Sequence, residues 1–311
     1  MTAVAEPVAG SPRTRPPVIA LFGALTIAFS AILVHQADVH PATAAVYRCA
    51  YALPLLALFA WRERRRYGAR APGQQRFAMV AGLFFAVDLI CWHQAIADVG
   101  AGLATVLGNL QVVVVPFAAW AVLGERPGRR ILAALPLTLI GVLFISGALE
   151  DGAYGAHPVR GVVFGALTGL SYAGFILVLR HGNEDLRRPA GPLFDATWVS
   201  ALAALAAALV LGVDDLVPAW PSAGWLITLG LTSQVLGWML ISVSLPRLPA
   251  ALTSMILTIQ PVGSVLLGIV LLGEEPSVLQ LAGAACILAG LVSIAARRRG
   301  APAGVPQRPA S

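Results

Sequence analysis

Asp88 is the residue hardest to account for as ordinary structure. It sits near the middle of FFAVDLICWHQ, a run otherwise dominated by apolar side chains. If that run crosses a membrane, a central charge costs about 2.5–3.5 kcal/mol on insertion scales, so it has to be used for something. A carboxylate there would take a proton or a cation. Its structural alternative is an ion pair or a hydrogen-bonded helix contact. Arg48, at the end of ATAAVYR, would bind a substrate carboxylate or pair with Asp88. Its alternative is to snorkel, with the stem in apolar surroundings and the guanidinium at the headgroups. Trp92 follows Asp88 by four residues and shares its helix face. Its ring would line a cavity and stack on an apolar or cationic ligand, or else pack near the membrane interface. His93 would relay protons, or simply be hydrogen-bonded near a helix end.

A second constellation is symmetric. Gln111 and Gln260 lie 149 residues apart, and Pro116 and Pro261 interrupt the same two runs. A proline frees a backbone carbonyl, and broken helices of this kind line transport sites. The glutamines would hydrogen-bond a solute from two directions, or each other's helices. Asn109, two residues before Gln111, is expected to face elsewhere. Trp238 follows Gly237, the counterpart of Asp88 at the same offset, and is expected to form the opposing aromatic wall.

These residues need helices in lipid to position them. The chain is 58% hydrophobic and 12% charged, with a mean hydropathy of +0.80. Soluble domains carry about twice that share of charge. Ten apolar runs cover 18–34, 42–61, 77–97, 101–123, 131–149, 161–179, 192–212, 223–245, 250–272 and 278–296. Each is near the ~20 residues that a helix needs to cross the hydrocarbon. They do not alternate apolar with polar residues, so they are helices rather than barrel strands. The first is read as a retained helix rather than a signal peptide, because no small-residue cleavage site follows it. Residues 1–16 and 298–311 are read as disordered tails.

Arginine sets the sidedness. The 21 basic residues are all arginine. With the N-terminus in the cytoplasm and ten alternating helices, every arginine except Arg48 and Arg160 falls in a cytoplasmic segment. The opposite loops hold Asp38, Asp98, Glu150, Asp151, Asp214, Asp215, Glu274 and Glu275. This obeys the positive-inside rule and places both termini in the cytoplasm. The Arg-, Ala- and Gly-rich composition suggests a GC-rich bacterial genome, and hence the bacterial inner (plasma) membrane.

The second half repeats the first. Leu123-Gly124-Glu125-Arg126-Pro127 matches Leu272-Gly273-Glu274-Glu275-Pro276, and FGALT at 22–26 recurs at 164–168. Repeats at 17–149 and 158–297 would each hold five helices. An odd number inserts the copies in opposite orientation, as in secondary transporters. Glu125 and Glu274 would cap or hinge the repeats. Gly161, Gly165 and Gly169 form a stripe that admits a close helix neighbour.

With the doubled LGExP turn, Arg48 in ATAAVYR and the AIADVGAGLATVL entry to the fourth helix, the chain resembles the drug/metabolite transporter superfamily, in its ten-helix group of paired EamA domains. The resemblance spans about residues 18–297. It implies an all-α integral membrane fold of ten transmembrane helices in two inverted five-helix repeats. It also implies a proton- or gradient-linked carrier of small metabolites, often an exporter of amino acids or toxic compounds. The four-helix multidrug branch carries a glutamate in its first helix; here that helix has no acidic residue, so that branch's coupling mechanism does not transfer.

The expected function is therefore a secondary exporter of an amino acid-like or drug-like metabolite working by alternating access. A facilitative uptake carrier is the alternative, and a membrane enzyme or scaffold a weaker one. Arg48 favours an anionic group, and Asp88 with the tryptophans a cationic one; an amino acid satisfies both. The expected site residues are Arg48, Trp92, Gln111, Trp238 and Gln260 for substrate, with Asp88 and His93 for proton or ion coupling. No metal or cofactor is expected. No phosphate-binding loop or catalytic motif is present, so neither ATP drive nor an enzyme is expected. Partners are a small-molecule substrate, the lipid bilayer and protons as candidate coupling ion, with no nucleic acid; the chain is a monomer or homodimer. Cys49, Cys91 and Cys286 have no metal or disulfide spacing and are read as small buried apolar residues.

Overall fold

The computed structural model describes residues 16–123, 126–182, 185, 187–214, 216–244 and 250–295. The expectations for the two tails, apart from Pro16, and for Glu125 fall outside these residues.

Thirteen α-helices lie on the ten apolar runs, and there is no strand among the described residues. Helices α1 (Pro16–Ala28) and α2 (Ser30–Ala37) form one bent span. Helices α3 (Pro41–Tyr67), α4 (Pro72–Val99), α8 (Pro158–Gly182) and α9 (Ala190–Val210) are single long rods. Pro41 and Pro72 each open a helix, where a missing N–H costs nothing. Among the described residues, six runs are long and apolar enough to cross a membrane, and shorter apolar stretches cover Ala101–Phe117, Ile259–Leu272 and Val278–Ser293.

Three runs are interrupted. The fourth is α5 (Ala101–Gly108) and α6 (Gln111–Leu123), separated by a turn at Asn109 and Leu110. The eighth is α10 (Ser222–Leu229), a π-helical segment Gly230–Gly237, and α11 (Trp238–Ser244). The first bends at Phe29, between α1 and α2. Helices α7 (Arg129–Ile145), α12 (Ala250–Leu272) and α13 (Val278–Ala295) complete the bundle.

Its packing is inverted relative to a water-soluble protein. The core is rich in alanine: Ala31, Ala37, Ala44, Ala95, Ala101 and Ala104 are all buried. Large apolar side chains such as Phe22, Leu139, Leu170, Leu202 and Val270 face outward. Lipid removes the hydrophobic drive to bury large side chains, so small residues that let backbones approach take the interfaces. The α8 stripe works this way. Gly161 faces Val99, Gly165 faces Leu107 and Gly169 faces Leu110 and the Gln111 amide; a Cβ on Gly165 would lie 2.5 Å from Leu107 Cβ.

Polar clasps tie the two ends. At the arginine-rich end, Glu63 accepts from Ala190 N–H at 2.9 Å and Gly191 N–H at 2.8 Å, capping α9. Arg70 pairs with Asp195 at 2.7 Å. Arg188 donates to the carbonyls of Tyr67, Gly68 and Ala69, closing the C-terminus of α3. At the opposite end Arg160 forms a bidentate pair with Asp98, at 2.9 and 2.6 Å. That pair accounts for the one arginine on the acidic side. Glu274 caps α5 through Ala101 and Gly102. Burial raises the Glu274 carboxyl above the usual carboxylate range, and the two amides pull it part of the way back. Cys49 and Cys91 are buried as expected, while Cys286 is only half-buried.

Candidate functional site

A cavity of about 90 Å³ lies midway along the bundle, where all three interrupted runs contribute to its wall. Uninterrupted helices in lipid satisfy their backbone groups and offer a solute little; irregular backbone is tolerated where it lines a cavity. Ile27 and Ser30 reach the cavity from the α1–α2 bend, Thr105, Gly108, Asn109 and Gln111 from the α5–α6 break, and Trp238 from the end of the π-helical segment.

Six of the seven residues singled out from sequence line this one cavity: Arg48, Asp88, Trp92, Gln111, Trp238 and Gln260. Arg48 is 3% exposed and does not snorkel. Its Nε donates to Gln234 Oε1 at 3.1 Å, and its guanidinium lies 5.6 Å from the centroid of the Trp92 ring. Its Nη1 is buried with no hydrogen-bond partner among the described residues. Asp88 shares the cavity, but no ion pair within 4 Å joins it to Arg48 among the described residues. The direct Arg48–Asp88 pair weighed from sequence is thus replaced by an Arg48–Gln234 hydrogen bond. The guanidinium and the carboxylate remain separate features of one wall.

The aromatic side of the cavity is rigid. Phe85 stacks on Phe175 at 4.6 Å, and Trp238 stands edge-on to Phe85, Phe175 and Tyr172 at 6.1, 5.6 and 6.1 Å. Edge-to-face rings at these separations hold one another in place. Gln111 Oε1 and Thr168 Oγ1 are buried on the wall without a hydrogen-bond partner among the described residues, as is Arg48 Nη1. Buried polar atoms normally have a partner, so three such atoms on one cavity wall are a departure from that rule.

His93 is not on the wall. Its Nδ1 donates to the Pro41 carbonyl at 3.1 Å, tying α4 to the start of α3, and its Nε2 has no partner among the described residues. It packs behind Trp92, with ring centroids 5.5 Å apart.

Asn109 was expected to face away and instead lines the cavity. The expectation assumed regular helix through 109–111. The chain turns there with i→i+3 bonds, Asn109 N–H to Val106 and Leu110 N–H to Leu107, which resets the face. Thr105, Thr168, Tyr172 and Gln234 were not singled out either. Thr168 and Tyr172 are one turn apart on α8, a polar pair in an apolar run, and that spacing was the available signal. The wall also draws on the first, second and sixth runs, beyond the third, fourth, eighth and ninth.

A model of the EamA-like transporter family matches residues 16–147 and again 159–296. An uncharacterized protein of Pseudomonas aeruginosa is 30% identical over 76% of this chain and 78% of its own length. An uncharacterized transporter of Archaeoglobus fulgidus is 29% identical over 61% of this chain and 64% of its own. The pseudopaline exporter CntI of P. aeruginosa is 25% identical over 71% of this chain and 75% of its own. A solved crystal structure covers 92% of this chain and 100% of that one, with a TM-score of 0.58 at 18% identity, a likeness of fold alone.

Proposed function

The chain belongs to the EamA-like transporter family, and from that premise we propose that it exports a small zwitterionic, amino acid-like metabolite by alternating access. The observation that carries this reading is the shared cavity. Arg48 offers an unpartnered Nη1 to a carboxylate, Asp88 offers a carboxylate to an ammonium group, and Trp92, Tyr172 and Trp238 face the rest of the solute. Gln111 and Gln260 reach it from the two halves. The similarity to an exporter supports the direction.

In this reading the ten runs cross the bacterial plasma membrane, as inverted repeats at 17–149 and 158–297 with both termini inside. The doubled family match and the placement of the arginines support that arrangement. Inverted copies give two states of nearly equal energy, open to opposite sides of a site at the midplane. Asp88 is the coupling residue: an outside proton and the substrate ammonium compete for one carboxylate. His93 is not carried forward as a relay, because its ring does not reach the cavity.

Purified protein in proteoliposomes, preloaded with radiolabelled amino acids and given an inward proton gradient, tests the proposal. Efflux accelerated by the gradient is expected, with Arg48→Ala abolishing it. Asp88→Asn is expected to retain exchange but lose the response to pH. Transport of organic cations alone, indifferent to Arg48, would overturn the zwitterion assignment.

A further inference from the structure

The turn after α12 carries a carboxylate whose contacts belong to the other half of the chain. Glu274 is 2% exposed. Its Oε1 accepts from Ala101 N–H at 2.5 Å, and its Oε2 from Gly102 N–H at 3.2 Å. These are opening N–H groups of α5, which lack intrahelical acceptors and sit where the helix dipole favours negative charge. Three glycines make room for the carboxylate. A Cβ on Gly100 would come 2.7 Å from Oε1 and one on Gly102 3.3 Å from Oε2, while one on Gly268 would overlap Oε2 outright.

What Glu274 fastens is one end of the cavity. Thr105 and Gly108 of α5 and Gln260 of α12 line the cavity itself. About one turn beyond Thr105, toward Glu274, Gly102 packs directly on α12: a Cβ there would lie 2.8 Å from Val265 Cα. Ala101, Leu103 and Ala104 of that turn have no exposed surface. The two helices therefore meet between the cavity and the end of the bundle that carries residues 273–277. Parting α5 from α12 would open a way from the cavity to that end. Parting them takes the carboxylate away from Ala101 and Gly102.

We propose that Glu274 is a latch, whose carboxylate holds α5 against α12 and keeps the cavity closed toward the end bearing residues 273–277. Its release accompanies opening to that side. The meaning of opening rests on the transporter reading, but the latch itself is a statement about two helices and needs no substrate to test. Its charge suits the task. Two buried amides left without an acceptor are costly, so a partly parted interface is disfavoured and the end is either shut or open. The neighbouring Gln280 does a different job. It bonds Tyr154 N–H at 2.9 Å and the Tyr154 and Ile145 carbonyls at 2.9 and 3.4 Å, pinning α13 beside α7 without touching a cavity-lining residue.

The test uses the full chain in proteoliposomes, with Cys49, Cys91 and Cys286 replaced by alanine and a single reporter, Thr105→Cys, on the cavity wall. A membrane-impermeant maleimide is added to the side that bears Ser277, which is fixed by labelling Ser277→Cys separately. With Glu274→Ala, which removes both hydrogen bonds, the rate at Thr105→Cys is expected to rise at least about tenfold, the size set by one charge-assisted hydrogen bond alone. Hydrogen exchange of the amides at 101–104 should rise with it. Glu274→Gln, which keeps one acceptor and the side-chain shape, should fall between, and serves if the alanine variant does not fold. Glu63→Ala removes the matching cap from α9 at the other end and should leave the Thr105→Cys rate unchanged. Faster exchange with unchanged labelling would reduce Glu274 to a helix cap and overturn the latch. Equal acceleration by Glu63→Ala would overturn it too, as general loosening. Absence of amino acid flux would sink the transport reading and leave this labelling result intact.

Discussion

Arg48 and Gln234 are 186 residues apart in sequence and joined by a 3.1 Å hydrogen bond from Nε to Oε1. Gln234 is fully buried and passes the contact on, its Nε2 donating to Thr197 Oγ1 at 3.2 Å. It sits in the π-helical segment Gly230–Gly237, where an extra residue per turn changes which side chains face α3. The bond fixes one edge of the guanidinium while Trp92 covers its face, and Nη1 is left for the cavity.

Gln234→Leu takes away that acceptor and leaves a buried guanidinium N–H unmet, at a cost of about 1–3 kcal/mol. Thermal unfolding in detergent should fall accordingly. Half-saturation for a zwitterionic substrate should rise well before the maximal rate declines. Gln234→Glu keeps an acceptor and should recover the binding. A fall in maximal rate with unchanged half-saturation would mean that Gln234 does not aim Arg48.

Asp98 and Arg160 form the bidentate pair at the acidic end, and their exposures differ: the Asp98 side chain is 1% exposed and that of Arg160 52%. Removing one partner of a pair hurts most when the survivor is buried. Arg160→Ala strands a buried carboxylate, so it should lower the unfolding temperature more than the double variant Arg160→Ala/Asp98→Asn, in which no charge is left behind. Equal losses would show that the pair is solvent-screened and contributes little. Membrane topology, read by thiol accessibility, should not change in either variant, because the arginine-rich loops are untouched.

Gly165 has Leu107 directly against it, and a Cβ there would lie only 2.5 Å from Leu107 Cβ, closer than two carbons can pack. Gly165→Leu therefore forces α8 away from α5, at an overpacking cost of about 1–3 kcal/mol. Since α5 and α8 both line the cavity, transport should fall together with thermal stability. Gly152→Ala is the contrast for space, since nothing lies within 4 Å of its Cβ position. Its φ of +89° strains an alanine backbone, so it should lose some thermal stability but, lying outside the cavity lining, keep its transport. Full activity of Gly165→Leu would show that the stripe is not a tight interface.

Much of this architecture is written in short stretches of sequence. Helices lie on the apolar runs because hydropathy is local, and a run that enters lipid has to satisfy its own backbone. The buried polar residues were equally visible, since Asp88, Arg48, Gln111 and Gln260 are expensive in hydrocarbon wherever their helices end up.

Which groups those residues bond was not visible. Arg48 was weighed against Asp88, which is near in sequence order, and bonded Gln234 from the other half; nothing in the 3.6-residue period of α3 points there. Asn109 was assigned a face by a period that stops at Gly108. The π-helical segment leaves no mark in composition. Glu274 was expected to cap or hinge the repeats, but nothing in its own stretch says which helix it caps, and that helix begins more than 170 residues earlier, in the other half. The sequence by itself determined where the chain can be helical, which end of the bundle carries the arginines and which polar residues need a reason to be buried. Only the tertiary structure decided which broken helices surround the cavity and which donor meets which acceptor, because those choices depend on side chains brought together across both halves.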